Sequence, residues 1–215
     1  MTREKKQVLT VKNIRNVNME NILQSILRKR ETTRSVLSKE NNISLMTVKH
    51  VVDDLIEAKI LVEKDSCNSD VGRNPKVLEI AENYGNIVCV NLTSKDEISF
   101  LIYDIYENLL KEQSMLLHQD RPYREELAAA IAAIQAELKT IPSLTVGVAV
   151  FVPSAYDASV DLVNYDLIPE FKELHIRSLF EEKFEINNIL ILHDVFAAAR
   201  SEYDSLNPKM ESQFY

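Results

Sequence analysis

Glycine is almost missing from this chain: there are 3 in 215 residues, at positions 72, 85 and 147. Glycine-rich loops let backbone N–H groups close around phosphates, so nucleotide binding through the backbone has little to work with here. Cysteine is as scarce. Cys67 and Cys89 lie far apart with no metal-ligand spacing, which excludes a disulfide framework and argues against a cysteine-held structural zinc. No apolar run is long enough to cross a bilayer, and the N-terminus carries no secretory signal pattern. These absences imply a soluble cytoplasmic protein with no membrane partner, no metal and no cofactor.

What is present is ample apolar and charged material, 46% and 27% of residues. The net charge of −8 hides an asymmetry. Residues 1–80 hold 15 Lys and Arg against 11 Asp and Glu, whereas the remainder holds 10 against 22. The first part is therefore basic and the rest strongly acidic. For docking on a polyanion the local sign counts, not the whole-chain balance.

The basic part contains two short helical patterns joined at Asn41-Asn42. Asparagine tolerates the left-handed conformation that a tight corner needs. Ser44 stands where an N-cap belongs, its hydroxyl able to accept from the orphan N–H groups of the second helix. In that helix Leu45, Val48, Val51 or Val52, and Leu55 recur at three- and four-residue spacing and predict one buried stripe. Met46, Thr47, Lys49 and His50 fall on the other face. This is the pattern of a helix-turn-helix presenting its second helix to a major groove.

An earlier helix is predicted over residues 18–30, with Ile22, Leu23, Ile26 and Leu27 as its stripe and Arg28-Lys29-Arg30 in its last turn. Residues 1–15 read as a flexible basic arm. After the second helix of the pair, Ile60–Val62 and Val77–Ile80 predict a hairpin with a long polar tip, 63–76, carrying Lys64, Arg73 and Lys76: a wing. DNA-binding residues are thus expected at Arg28, Arg34 and Lys39 for phosphates, at Ser44, Met46, Thr47, Lys49 and His50 on the reading helix, and at Arg73 and Lys76 in the wing. Arg73 would border a minor groove.

Beyond Gly85 the pattern alternates. Strands are expected at 87–92, 97–103, 109–117, 144–152 and 188–192, and helices at 123–140, 171–184 and 194–203. This order implies a sheet with a parallel portion and helices packed on it. The fold class expected for the whole chain is α+β multidomain, divided into an arm at 1–15, a winged helix-turn-helix at 16–82 and an α/β part at 86–215.

The run Gly72-Arg73-Asn74-Pro75, the strand Val77–Ile80 and Asn83-Tyr84-Gly85, together with Arg34, Thr47-Val48 and Leu55, resemble the winged helix-turn-helix of the ROK family of repressors, open reading frames and sugar kinases. Its xylose and N-acetylglucosamine repressors carry a Gly-Arg-Arg-Pro step there; here Asn74 replaces the second arginine. The resemblance implies that residues 86–215 form the first lobe of an actin-like ATPase fold. ROK kinases place an Asp-x-Gly-x-Thr turn after the first strand, and the matching run here is Asn91-Leu92-Thr93-Ser94-Lys95, without the acid or the glycine. The resemblance also aligns the sugar-side motif with Leu192–Ala199. Asp194 matches the kinase general base, His193 replaces a sugar-binding Asn, and Asn164 falls in a segment resembling a substrate loop. A second lobe that the resemblance implies does not follow Tyr215, so a fragment or a shortened protein is expected.

The resulting expectation is a sequence-specific repressor of carbohydrate genes that is not an enzyme. It would bind a double-stranded DNA operator as a homodimer under control of a sugar or sugar-phosphate effector. The alternatives are a sugar kinase with an appended DNA-binding domain, and a module whose α/β part serves only dimerisation.

Overall fold

The computed structural model describes residues 11–65 and 76–195, with Ala198. The chain divides into two compact units, Met1–Tyr84 and Gly85–Tyr215.

The first unit opens with helix α1, Val11–Lys29. It begins inside the stretch expected to be an arm, several residues before the predicted start at 18; residues 1–10 lie outside the described residues. Ile22 and Ile26 are fully buried on its inner face. Arg28 and Lys29 occupy its last turn, where cations complement the helix dipole. Arg30 then takes a left-handed φ of 63° and ends the helix.

Helix α2, Arg34–Glu40, starts at an N-cap, Thr33, whose hydroxyl accepts from the Val36 N–H. The corner expected at the asparagines is formed by both. Asn41 closes α2, its backbone N–H donating to the Leu37 carbonyl, and Asn42 sits at φ 52°. Helix α3, Leu45–Glu57, is capped by Ser44, whose Oγ accepts from the Thr47 N–H at 3.1 Å. Val48, Val51, Val52 and Leu55 are buried, as their spacing predicts. Leu45 is not: it is 58% exposed. The stripe packs on α1, α2 and the following strand only from Val48 onward, and the first turn of α3 projects past them. The helix ends in a Schellman motif, with Ile60 N–H donating to Leu55 C=O, Lys59 N–H to Ile56 C=O, and Lys59 at φ 59°.

Strands β1, Leu61–Asp65, and β2, Lys76–Ile80, pair antiparallel with Leu61 opposite Ile80. Leu61, Leu78 and Ile80 face the helices and are buried. A third short rung joins them: Thr32, in the α1–α2 linker, exchanges both backbone hydrogen bonds with Leu78, at 3.1 and 2.7 Å. Both strands run farther than expected, so that residues 63–65 and 76 of the expected tip belong to them; the rest of the tip, with Arg73, lies outside the described residues.

The second unit is built on a five-stranded mixed sheet. Strands β3 (Gly85–Asn91), β4 (Glu97–Asp104) and β5 (Leu109–Leu116) form an antiparallel meander. Strands β6 (Leu144–Val152) and β9 (Ile189–His193) continue the sheet parallel to β3. Alternate residues of β3, β4, β6 and β9, including Val88, Val90, Ile98, Phe100, Val148 and Val150, point into one core, whereas β5 is exposed along most of its length and adds only the half-buried Met115. That core is closed by helices α4 (Tyr123–Leu138) and α5 (Ile176–Phe184). Between β6 and α5 lie a small antiparallel pair, β7 (Tyr156–Asp157) and β8 (Leu162–Val163), and a 3-10 turn, Pro169–Lys172.

The single helix expected at 171–184 is therefore interrupted, and α5 begins only at Ile176. The reason is a tertiary cap. The Asp161 carboxylate, on the β7–β8 connection, accepts from the N–H groups of Arg177 and Ser178 at 2.8 and 2.9 Å and fixes where the helix starts. Among the described residues no helix is long and apolar enough to cross a membrane.

Candidate nucleic-acid interface

The exposed face of α3 changes character along its length. Met46, 62% exposed, and the exposed Lys49 and His50 occupy its first half; Asp53, Asp54 and Glu57 follow in its second. Ser44 is exposed and holds Thr47 in a hydroxyl–hydroxyl contact of 2.9 Å, which fixes the rotamer of Thr47 at the start of the helix. Beside this face runs a groove of about 550 Å³ lined by residues of α1 and α3, among them Arg15, Asn18, Thr47 and His50. Arg15 pairs with Asp54 across it.

The cations expected to hold phosphates, together with Lys76 of the expected wing, divide into two groups. Arg28 and Lys39 are exposed, near the ends of α1 and α2. Arg34 and Lys76 are instead drawn together by one carboxylate. Glu63 takes the Arg34 guanidinium on one oxygen and the Lys76 ammonium, at 2.8 Å, on the other. Arg34 also reaches Asp53 at 3.1 Å, so the network ties α2, α3 and both strands of the hairpin. Partial burial alone would raise the Glu63 carboxyl, but the hydrogen bonds and charges of Lys76 and Arg34 outweigh it and hold the group below the usual carboxylate range. Arg73 falls outside the described residues.

In the second unit the parallel strands end side by side. Asn91 pairs with Phe151 in the register, and Val152 with His193. The carboxyl edge of the sheet thus gathers the turn after β3, the Phe151–Ser154 exit and the His193-Asp194 pair, which is where open α/β sheets take ligands. The turn after β3 is closed on itself. Asn91 Oδ1 accepts from the Thr93 N–H at 3.0 Å and its hydroxyl at 2.7 Å, and Ser94 Oγ accepts from the N–H groups of Asp96 and Glu97. Asp194 Oδ1 accepts from the Val195 N–H and lies 3.3 Å from His193 Nε2. Asn164 is exposed immediately after β8, and the β7–β8 hairpin lies beside β9. Among the described residues no three His, Cys, Asp or Glu side chains cluster as a metal site would require.

Sequence reasoning did not single out Glu63, Asp53 or Arg15. Each is an ordinary charged residue in its own segment and acquires its role only from partners at least 13 positions away.

No profile of a known protein family matches the chain. Two curated proteins of Caldicellulosiruptor do. One, provisionally named as a xylose repressor, from strain Rt8B.4, is 22% identical over 174 residues, 80% of this chain and 43% of that protein. The other, the xylose repressor of Caldicellulosiruptor bescii, is 22% identical over 178 residues, 80% of this chain and 44% of that protein. A solved structure of a ROK-family transcriptional regulator, a homologue of the E. coli MLC protein, superposes with a TM-score of 0.67 at 17% identity, covering 88% of this chain and 48% of that one. The chain is thus similar to two xylose repressors in sequence and shares the fold of a ROK-family regulator. The chain spans less than half the length of the curated relatives it matches.

Proposed function

We propose that the first unit is a winged helix-turn-helix and that the chain supplies the DNA-binding part of a transcriptional repressor of carbohydrate genes, acting in the cytoplasm. One observation carries this reading: Ser44 launches α3 so that Met46, Lys49 and His50 face outward while Val48, Val51, Val52 and Leu55 anchor the opposite side. The hairpin stitched to Thr32 supports it, since it forms the small sheet from which a wing extends.

Docking would be end-on. The first turns of α3 combine the positive end of the helix dipole with Lys49 and His50, whereas Asp53, Asp54 and Glu57 repel phosphates farther along. Lys49 and His50 would donate to guanine edges, and Met46 and the Thr47 methyl would touch thymine methyls. Arg28 and Lys39 would set register on the backbone.

The second unit would serve as effector and dimerisation domain rather than as a kinase. Phosphoryl transfer needs free N–H groups around the nucleotide phosphates. Here three of those in the turn after β3 are already taken by Asn91 and Ser94. A sugar or sugar phosphate would reach Asp194, His193 and Asn164 at the carboxyl edge. The xylose repressors among the relatives support a carbohydrate effector. Control would be a population shift: an effector that prefers one arrangement of a homodimer moves two reading helices out of step with half-sites about one helical turn apart.

Fluorescence anisotropy on operator-containing fragments tests the reading. Lys49→Ala is expected to change sequence preference, whereas Lys39→Ala is expected to weaken all duplexes alike and flatten the salt dependence. Absence of salt-sensitive DNA binding removes the proposal. Coupled ATP turnover over a panel of hexoses tests the second part, and phosphorylation lost in Asp194→Asn would reinstate a kinase.

A further inference from the structure

Arg34 and Lys76 come from distant parts of the chain, the first residue of α2 and the first of β2, yet both end on Glu63. Glu63 lies on the helix-facing side of β1, in register with the buried Leu78, and its side chain is only 18% exposed. Its two oxygens serve one cation each, as the two non-bridging oxygens of a phosphodiester would. With Asp53 completing the group, two cations face two carboxylates, and the base of the hairpin is locally neutral. Both cations remain accessible from outside, Lys76 more than Arg34.

We propose that Glu63 is an internal stand-in for a DNA phosphate: it holds Arg34 and Lys76 in the free protein, and both cations exchange it for backbone phosphates on docking. The inference rests on the DNA-binding reading above and adds to it the groups that set its affinity. Asp53 keeps the Arg34 guanidinium oriented during the exchange. Glu63 becomes an unpaired acid next to the backbone in the complex, so it lowers affinity for every duplex without reading sequence. The other ion pair of the hairpin, Lys64 with Glu79, provides the control, because strand alternation places it on the opposite face.

The test is anisotropy of the full chain with a fluorescein-labelled 20-base-pair duplex of mixed sequence, titrated between 50 and 200 mM KCl. Glu63→Gln keeps the shape and a hydrogen-bond acceptor but removes the charge. It is expected to bind about five- to tenfold tighter, whereas Glu79→Gln changes affinity less than about twofold. Lys76→Gln is expected to flatten the slope of log K against log[salt] by about 0.9, the share of one phosphate. Equal gains from Glu63→Gln and Glu79→Gln would show a general charge effect and overturn the proposal. So would weaker binding by Glu63→Gln, which would make Glu63 a positioning group, or an unchanged slope in Lys76→Gln. If circular dichroism shows that Glu63→Gln does not fold, the slope of Lys76→Gln decides alone. If the unaltered chain binds no duplex at any salt, the DNA-binding reading itself has failed and this inference falls with it.

Discussion

The side-chain amide of Asn41 donates to the Ser25 hydroxyl at 3.3 Å and to the Leu37 carbonyl at 3.0 Å, clasping the corner between α2 and α3 onto the middle of α1. Ser25 is 3% exposed, so its hydroxyl has little water to turn to. Asn41→Ala strands it and is expected to cost about 1–2 kcal/mol of stability. A urea titration of Asn41→Ala, Ser25→Ala and the double variant checks this. The double variant is expected to lose less than the sum of the single ones, since the two residues share one contact.

Lys59 occupies the left-handed position of the α3 Schellman motif, where a side chain meets the following carbonyl. Relief of that crowding by glycine is worth about 1–2 kcal/mol, and the added freedom of glycine in the unfolded chain takes back about half. Lys59→Gly is therefore expected to stabilise the first unit by about 0.5–1 kcal/mol, read as a higher denaturation midpoint with unchanged slope.

Tyr123, at the start of α4, packs its ring against Phe171 with centroids 5.2 Å apart. It is 7% exposed, and its hydroxyl has no hydrogen-bond partner among the described residues. Burial, reinforced by the nearby Glu170 carboxylate, pushes its ionisation far above the usual tyrosine range. Tyr123→Phe keeps the ring contact and removes an unsatisfied polar atom, so it is expected to raise stability by about 1 kcal/mol. A fall in thermal midpoint would show that the hydroxyl has a partner in solution.

Asp161 is desolvated, which by itself raises its pKa, but the N–H and hydroxyl of Ser178, the Arg177 N–H and the Tyr156 hydroxyl together lower it. A carboxyl lowered in the folded state contributes stability that is complete above its unfolded pKa, about 3.9, and is lost as pH falls through the lower folded value. The second unit is expected to weaken below about pH 4 for this reason, and Asp161→Asn is expected to be less stable at neutral pH with a shallower loss in acid. Melts monitored between pH 2 and 7 would show it.

These features differ in how far they were readable from the chain alone. The Ser44 cap, the Asn41-Asn42 corner and the strand alternation of the second unit depend on neighbours within a few residues, so periodicity and capping chemistry reveal them. Leu45 satisfies the helical spacing but falls before the stripe meets its partners, and spacing alone does not say where a core ends. The start of α5 is set by Asp161 from another element. Arg34 read as a free cation because Asp53 and Glu63 converge on it only after folding. Residues whose charge partners are tertiary are the ones a linear reading leaves open.

The self-closed turn after β3 limits what a single substitution there can do. An aspartate at position 91 would leave Ser94 still holding the N–H groups of Asp96 and Glu97, and a glycine at 93 would leave the Asn91 amide in place. Each single change meets a loop already satisfied by the other residue, so opening the backbone N–H groups of this edge takes at least two changes made together.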